Sequence, residues 1–291
     1  ESAKRLFPFG AKLMLNRFLN ILFNNIYILV IGRYYSAAEL AFYQRAKGLQ
    51  SLPVTSVFEI FNRVAFPLIS RASGDQERAQ LAFKKMLLYL SWIIFPGMAL
   101  LAAVGEPLIV VLIKEKWLPA VPYLQVLCCM GFVMTINMLN MNMMQGCGRA
   151  GLVLKISVAN KMLTIANIFF MIQHGIMAMI VGQLVVGLIT NVVNILTSRK
   201  VFNVPIRLQL KAIYRPVLSS FLVALLVVPL VNHVPVGAFM QLLAGLLLGG
   251  AIWWFSLFMF RAEMQHDLRL LCEQYPVLTR FVKISGMLRP V

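Results

Sequence analysis

The chain has 291 residues, of which 60% are hydrophobic and only 13% charged. A soluble globular domain is about half apolar and about a quarter charged, so a soluble enzyme, a disordered chain and a disulfide scaffold are excluded at once. The net charge of +17, from 27 Lys and Arg against 10 Asp and Glu, reads as basic loops flanking membrane spans rather than as a nucleic-acid surface.

A membrane helix needs about 20 apolar residues. Eight such segments are expected, at 9–32, 44–70, 87–104, 121–146, 151–172, 175–197, 214–232 and 237–260. The fold class is therefore all-α and polytopic. The second segment is weakly apolar and carries Pro53 and Pro67. Residues 73–86 read as an amphipathic surface helix. The stretch 107–113, after Glu106-Pro107, is too short to span and reads as an interfacial helix. Residues 261–291 read as a basic tail on the membrane face. The opening Glu1-Ser2-Ala3-Lys4-Arg5 resembles the end of a loop, and a preceding part of the protein is expected.

Orientation follows from the basic residues. Of the 27, 17 fall with the two termini and the loops on their side, 5 on the other side (Arg33, Arg45, Lys47, Lys114 and Lys116) and 5 within spans. Cytoplasmic loops carry the excess, so both termini are expected in the cytoplasm. The four cysteines have no metal-ligand spacing, and no metal or cofactor is expected. The Met-rich stretch from Met138 to Met144 reads as core packing, and His174 and His233 as loop residues.

The functional signal lies inside the spans. Polar side chains in hydrocarbon are costly and turn toward a bundle interior or a wet cavity. At 100° per residue, Asn16, Arg17, Asn20, Asn24 and Tyr27 share one face of the first span. Glu59, Asn62 and Arg63 share a face of the second with Arg45, Gly48 and Thr55. Ser157, Asn160, Lys161, Thr164 and Asn167 do so in the fifth, and Gln183, Thr190, Asn191 and Asn194 in the sixth. Asn137 and Asn140 pair in the fourth, whereas Asn142 and Gln145 scatter. The last two spans have almost no polar interior.

Arg17, Arg63 and Lys161 lie eight, seven and ten residues from the same membrane side. Eight residues is about 12 Å at 1.5 Å per residue, so the three cations are expected at similar depth. Lys12 and Lys155 lie nearer the surface and can snorkel. Glu59 is one turn from Arg63, a spacing that allows an ion pair. Grouped cations beside amides suit a phosphate-bearing ligand. Asn and Gln also serve as links between membrane helices, which is the plainer reading of any one of them.

An ordered set of residues carries a resemblance. It runs Phe9-Gly10-Ala11, Asn16, Asn20, Asn24, Gly32-Arg33, Glu39-Leu40-Ala41-Phe42-Tyr43 and Leu52-Pro53-Val54. It continues with Val64-Ala65-Phe66-Pro67-Leu68-Ile69-Ser70, Asp75, Glu115-Lys116-Trp117, Ala120-Val121-Pro122 and Leu124-Gln125-Val126-Leu127. The set is similar to the Wzx-type flippases of the multidrug/oligosaccharidyl-lipid/polysaccharide superfamily, colanic-acid exporter branch. The resemblance implies a second six-helix lobe over 1–200, two additional helices over 201–260 and a tail over 261–291, with earlier helices preceding Glu1. It implies an inner-membrane transporter, not an enzyme, that flips undecaprenyl-pyrophosphate-linked oligosaccharide by alternating access. Its implied partners are that lipid-linked oligosaccharide, membrane lipids and polysaccharide polymerase machinery. Arg17, Arg63 and Lys161 would neutralise the pyrophosphate, with Glu59 beside Arg63. Asn20, Asn24, Asn62 and Asn160 would complete the substrate surface. One departure stands out: members often have a Gly-rich turn where this chain has Arg33-Tyr34-Tyr35-Ser36. The alternatives are a cation-coupled drug exporter of the same fold, which wants cavity carboxylates, and a membrane-embedded polysaccharide-processing enzyme, which wants a sizeable outer loop.

Overall fold

The computed structural model describes residues 25–71, 76–233 and 237–259, together with 14, 15, 18 and 20–23. Nine α-helices are described: α1 Ile26–Tyr34, α2 Ala37–Arg71, α3 Gln76–Ala103, α4 Gly105–Ile113, α5 Val121–Gly146, α6 Ala150–Met171, α7 Ile176–Phe202, α8 Ile206–His233 and α9 Ala238–Met259. Short 3-10 turns, Glu115–Ala120 and Ile172–His174, precede α5 and α7. No strand occurs among the described residues, so the all-α polytopic expectation holds. Among the described residues, six helices are long and apolar enough to cross a membrane: α3 and α5 to α9. Helix α2 has the length, at 35 residues, but its polar face keeps it below that apolar level. The tail beyond 259, Arg17 and Asn24 lie outside the described residues.

The turn into α2 explains how the chain manages without glycine. Ser36 Oγ accepts from the Glu39 backbone N–H at 3.2 Å. Glu39 Oε2 accepts in return from the Ser36 backbone N–H at 3.1 Å and from its hydroxyl at 2.9 Å. This is a capping box, which satisfies two of the orphan donors at a helix start. Tyr35 OH donates to the Ile172 carbonyl and so fastens the turn to the end of α6.

The surface helix expected over 73–86 is not a separate element. Residues 76–86 are the first turns of α3, which runs unbroken to Ala103. No helix breaker separates Lys85 from Leu87, and Ala79, Phe83 and Met86 are buried, which continues the core face of the span downward. The interfacial helix is present as α4, nine residues long.

Helix α5 is the centre, packed against α2, α3 and α7. Tyr43, Ala46 and Val54 of α2, Phe83, Leu87, Leu90 and Phe95 of α3, and Leu124, Leu139 and Met143 of α5 form one buried cluster. Phe95 meets Phe132 edge to face at 4.8 Å between centroids. On the far side of α3, helix α8 lays Val223, Val227 and Val231, at i, i+4 and i+8, against Ala99 and Val104. Helix α9 closes on the same edge: Gly245 and Gly249 present bare backbone to Val104 and Leu100, the small-xxx-small contact that lets membrane helices approach.

One contact compensates a missing backbone hydrogen bond in α3. Pro96 lies inside that helix and has no N–H to offer the carbonyl of Trp92, four residues earlier. The indole N–H of Trp253, on α9, donates to that carbonyl at 2.9 Å.

Candidate functional site

On the opposite side of α5 from α8 and α9, helices α1, α2, α5, α6 and α7 enclose a cavity of about 700 Å³. Helix α2 lines it with Gln44, Lys47, Gly48, Ser51 and Thr55, at i, i+3, i+4, i+7 and i+11, which is one face of a 3.6-residue helix. Helix α6 lines it with Asn160, Lys161 and Thr164, and α7 with Gln183, Val186 and Gly187. A second chamber of about 320 Å³ holds Asn20, Asn142, Gln145, Ser157 and Asn194. The two share Asn137, Asn160 and Lys161, so these residues form a neck between them.

The polar side chains of the walls are interlinked. Asn160 Nδ2 donates to Thr190 Oγ1 at 2.6 Å, tying α6 to α7. Thr164 and Thr190 each return a hydroxyl proton to a backbone carbonyl four residues earlier, at 2.9 Å in both. Asn194 Nδ2 donates to Asn137 Oδ1 at 2.9 Å, and Asn137 Nδ2 to the Gly187 carbonyl at 3.3 Å. Asn167 joins three helices: its amide donates to Tyr27 OH at 2.8 Å and to the Met179 carbonyl at 3.1 Å. Many of the intramembrane amides therefore do link helices, and several line the cavity at the same time. Gln183 carries a buried Oε1 with no hydrogen-bond partner among the described residues.

Lys161 is half-buried, with its ammonium 5.6 Å from the centroid of the Phe23 ring. No carboxylate pairs with it among the described residues, and no Asp or Glu lines either chamber. Such a site favours an anion: a lysine in a low-dielectric, carboxylate-free cavity has its charge uncompensated until a negative ligand enters.

Of the residues singled out from the sequence, Asn160 and Lys161 line both chambers and Asn20 lines the smaller. Asn62 accepts a hydrogen bond from Asn142 Nδ2 at 2.5 Å. Glu59 and Arg63 are exposed on α2, form no ion pair among the described residues, and line neither chamber. Arg17 and Asn24 cannot be placed among the described residues. Sequence reasoning missed Lys47, which it assigned to an outer loop, and Asn142 and Gln145, which it set aside as scattered. The signal for Lys47 was there in the register with Gly48, Ser51 and Thr55. Asn142 and Gln145 face a chamber because α5 is wet on more than one side, which a single-arc search overlooks.

Residues 1–122 match the family described as polysaccharide biosynthesis protein. The chain is 30% identical over 220 residues to the teichuronic acid biosynthesis protein TuaB of Bacillus subtilis, covering 76% of this chain and 45% of that one. The first 122 residues carry this polysaccharide biosynthesis family's pattern, and the similarity to its relatives runs on beyond them. The chain is also 28% identical to the lipopolysaccharide biosynthesis protein WzxC of Escherichia coli, over 68% of this chain and 40% of that one. The succinoglycan biosynthesis transport protein ExoT of Rhizobium meliloti is 24% identical, over 78% of this chain and 47% of its own. The chain spans a little under half the length of these relatives. No solved structure matches it. These matches agree with the resemblance that the ordered residue set carries, and the name of ExoT is that of a transport protein.

Proposed function

We propose that the chain forms one lobe of an inner-membrane flippase that moves an undecaprenyl-pyrophosphate-linked oligosaccharide between leaflets. The observation that supports this most is the carboxylate-free cavity, which combines Lys47 and Lys161 with Asn, Gln, Ser and Thr side chains between apolar helices. The ammonium groups would hold the diphosphate, and the amides and hydroxyls would bind sugar hydroxyls. The polyprenyl tail would remain among the lipids. Movement of this lobe against the preceding one would expose the cavity to each side in turn. A drug exporter of the same fold handles cationic substrates and would be served by cavity carboxylates, which neither chamber has. Both termini would lie in the cytoplasm, as the basic loops demand.

The test is restoration of surface polysaccharide in a flippase-null strain, normalised to membrane protein level. Lys161→Gln and Lys155→Gln remove the same charge from one helix, but only Lys161 lines the cavity. Lys161→Gln is expected to lose most function and Lys155→Gln little. Arg17→Lys, which keeps a charge and loses the guanidinium fork, is expected to fall between them. Equal loss at 155 and 161 with normal protein levels would refute the assignment.

A further inference from the structure

The larger cavity does not end at Lys47. Gln44 and Gly48 are shared with a third chamber, of about 390 Å³, that opens where α2 passes the 3-10 turn Glu115–Ala120. Its walls carry Arg45 and Trp117. The Arg45 guanidinium carbon lies 5.2 Å from the Trp117 ring centroid, and the Lys116 ammonium lies 5.8 Å from the same ring. Phe42 meets that ring edge to face at 5.8 Å and fixes its plane. Among the described residues the Arg45 guanidinium has no carboxylate partner and no hydrogen-bond acceptor. The cation–π contact with the indole takes up none of the guanidinium's N–H donors as hydrogen bonds.

Three linked chambers thus follow one another along the bundle, with Lys161 at the first neck, Lys47 in the middle and Arg45 at the far end. An interfacial tryptophan needs no cation to anchor a helix. Two cations on one tryptophan, beside a polar opening, make an anion-binding platform with an aromatic floor. Such a floor suits a sugar ring's C–H face, and the cations suit a phosphate.

We infer that Arg45, Trp117 and Lys116 form an end-of-path subsite for a diphosphate-linked saccharide headgroup, reached from Lys161 by way of Lys47. This rests on the flippase reading and adds to it a second, separate station. The headgroup would be handed from one cation to the next, so that it is never in the cavity without a counter-charge.

The test uses the full-length protein in phosphatidylcholine nanodiscs with farnesyl diphosphate as the probe. The readout is the emission of Trp117, taken as the difference from Trp117→Phe. Farnesyl diphosphate is expected to change it and farnesol is not. Arg45→Gln is expected to raise the midpoint about tenfold, the loss of one charge-assisted pairing. Arg45→Lys, which keeps the charge and most of the packing, is expected to raise it less, and Lys155→Gln is expected to leave it unchanged. An unshifted midpoint in Arg45→Gln, or an equal response to farnesol, would overturn the subsite. So would a response produced by phosphatidylglycerol in the disc to which farnesyl diphosphate adds nothing, since the chamber would then hold a lipid headgroup. If Lys161→Gln abolishes transport while Trp117 ignores the probe, the flippase reading stands and this subsite falls. If the Lys161 comparison fails as well, the fault lies in the flippase reading.

Discussion

Replacing Trp253 by Phe removes the donor that serves the Trp92 carbonyl in place of the missing Pro96 N–H. The bond is 2.9 Å long and lies between two apolar helices, where no water substitutes for it. A hydrogen bond between membrane helices contributes about 0.6–1.7 kcal/mol, and an orphaned buried carbonyl costs about 1–3 kcal/mol. Trp253→Phe is therefore expected to destabilise by about 2 kcal/mol, part of it from the smaller ring. Pro96→Ala supplies a backbone N–H four residues on from Trp92 and restores the ordinary helical bond. In that background the same Trp253→Phe change should cost less than about 1 kcal/mol, because the carbonyl keeps a partner. The assay is a double-mutant cycle on unfolding in mixed micelles, in which the coupling between the two sites is expected to be about 1–2 kcal/mol. Additive losses would show that Trp253 matters only through its packing.

Three further outcomes follow from other contacts. A Cβ on Gly182 would overlap the Asn167 carboxamide oxygen and lie 2.7 Å from its Cγ. Gly182→Ala should therefore destabilise by about 2–4 kcal/mol, whereas adding it to Asn167→Ala should cost little more than Asn167→Ala alone; full additivity in thermal unfolding would contradict this. Lys114 has φ 83° and ψ 162°, a region that favours glycine, so Lys114→Gly should stabilise the α4–α5 connection by about 1 kcal/mol, read as a raised Tm. Lys116→Cys should be labelled by an impermeant maleimide in outer-membrane-permeabilised cells, and Lys200→Cys should not; the reverse pattern would invert the topology.

Much of the fold was legible because membrane spans advertise themselves by length and apolarity. The segments expected at 121–146, 151–172 and 237–260 match α5, α6 and α9 to within about a residue at each end. The polar faces of α2 and α6 were legible from helical period. Less legible were features that depend on what lies across the helix. The start of α2 at Ala37 depends on the Ser36–Glu39 capping box, a four-residue signal that apolarity does not register. The continuity of α3 through Lys84 and Lys85 went unread because charge was taken as a boundary, although Phe83 and Met86 carry the buried face straight through it. Depth along a span is a one-dimensional measure. It grouped Arg63 with Lys161, yet α2 turns Arg63 outward, away from both chambers. Lys47 sits next to Gly48 and about one turn before Ser51 on the wet face, and was lost to the assumption that a cation marks a span's end.

The unbroken run of α3 has a mechanical consequence. Its 28 residues measure about 42 Å, against a hydrocarbon thickness of about 30 Å, so two turns or so stand clear of the hydrocarbon as a rigid post. Near the foot of that post, Gln80 Nε2 donates to the Asn203 carbonyl in the α7–α8 link at 3.0 Å. Residues 76–95 of the helix hold no proline or glycine, so a push on the post is passed along them. It reaches α8 along the shared flank and α7 through that link, so the outer two helices and the cavity wall answer to the same lever.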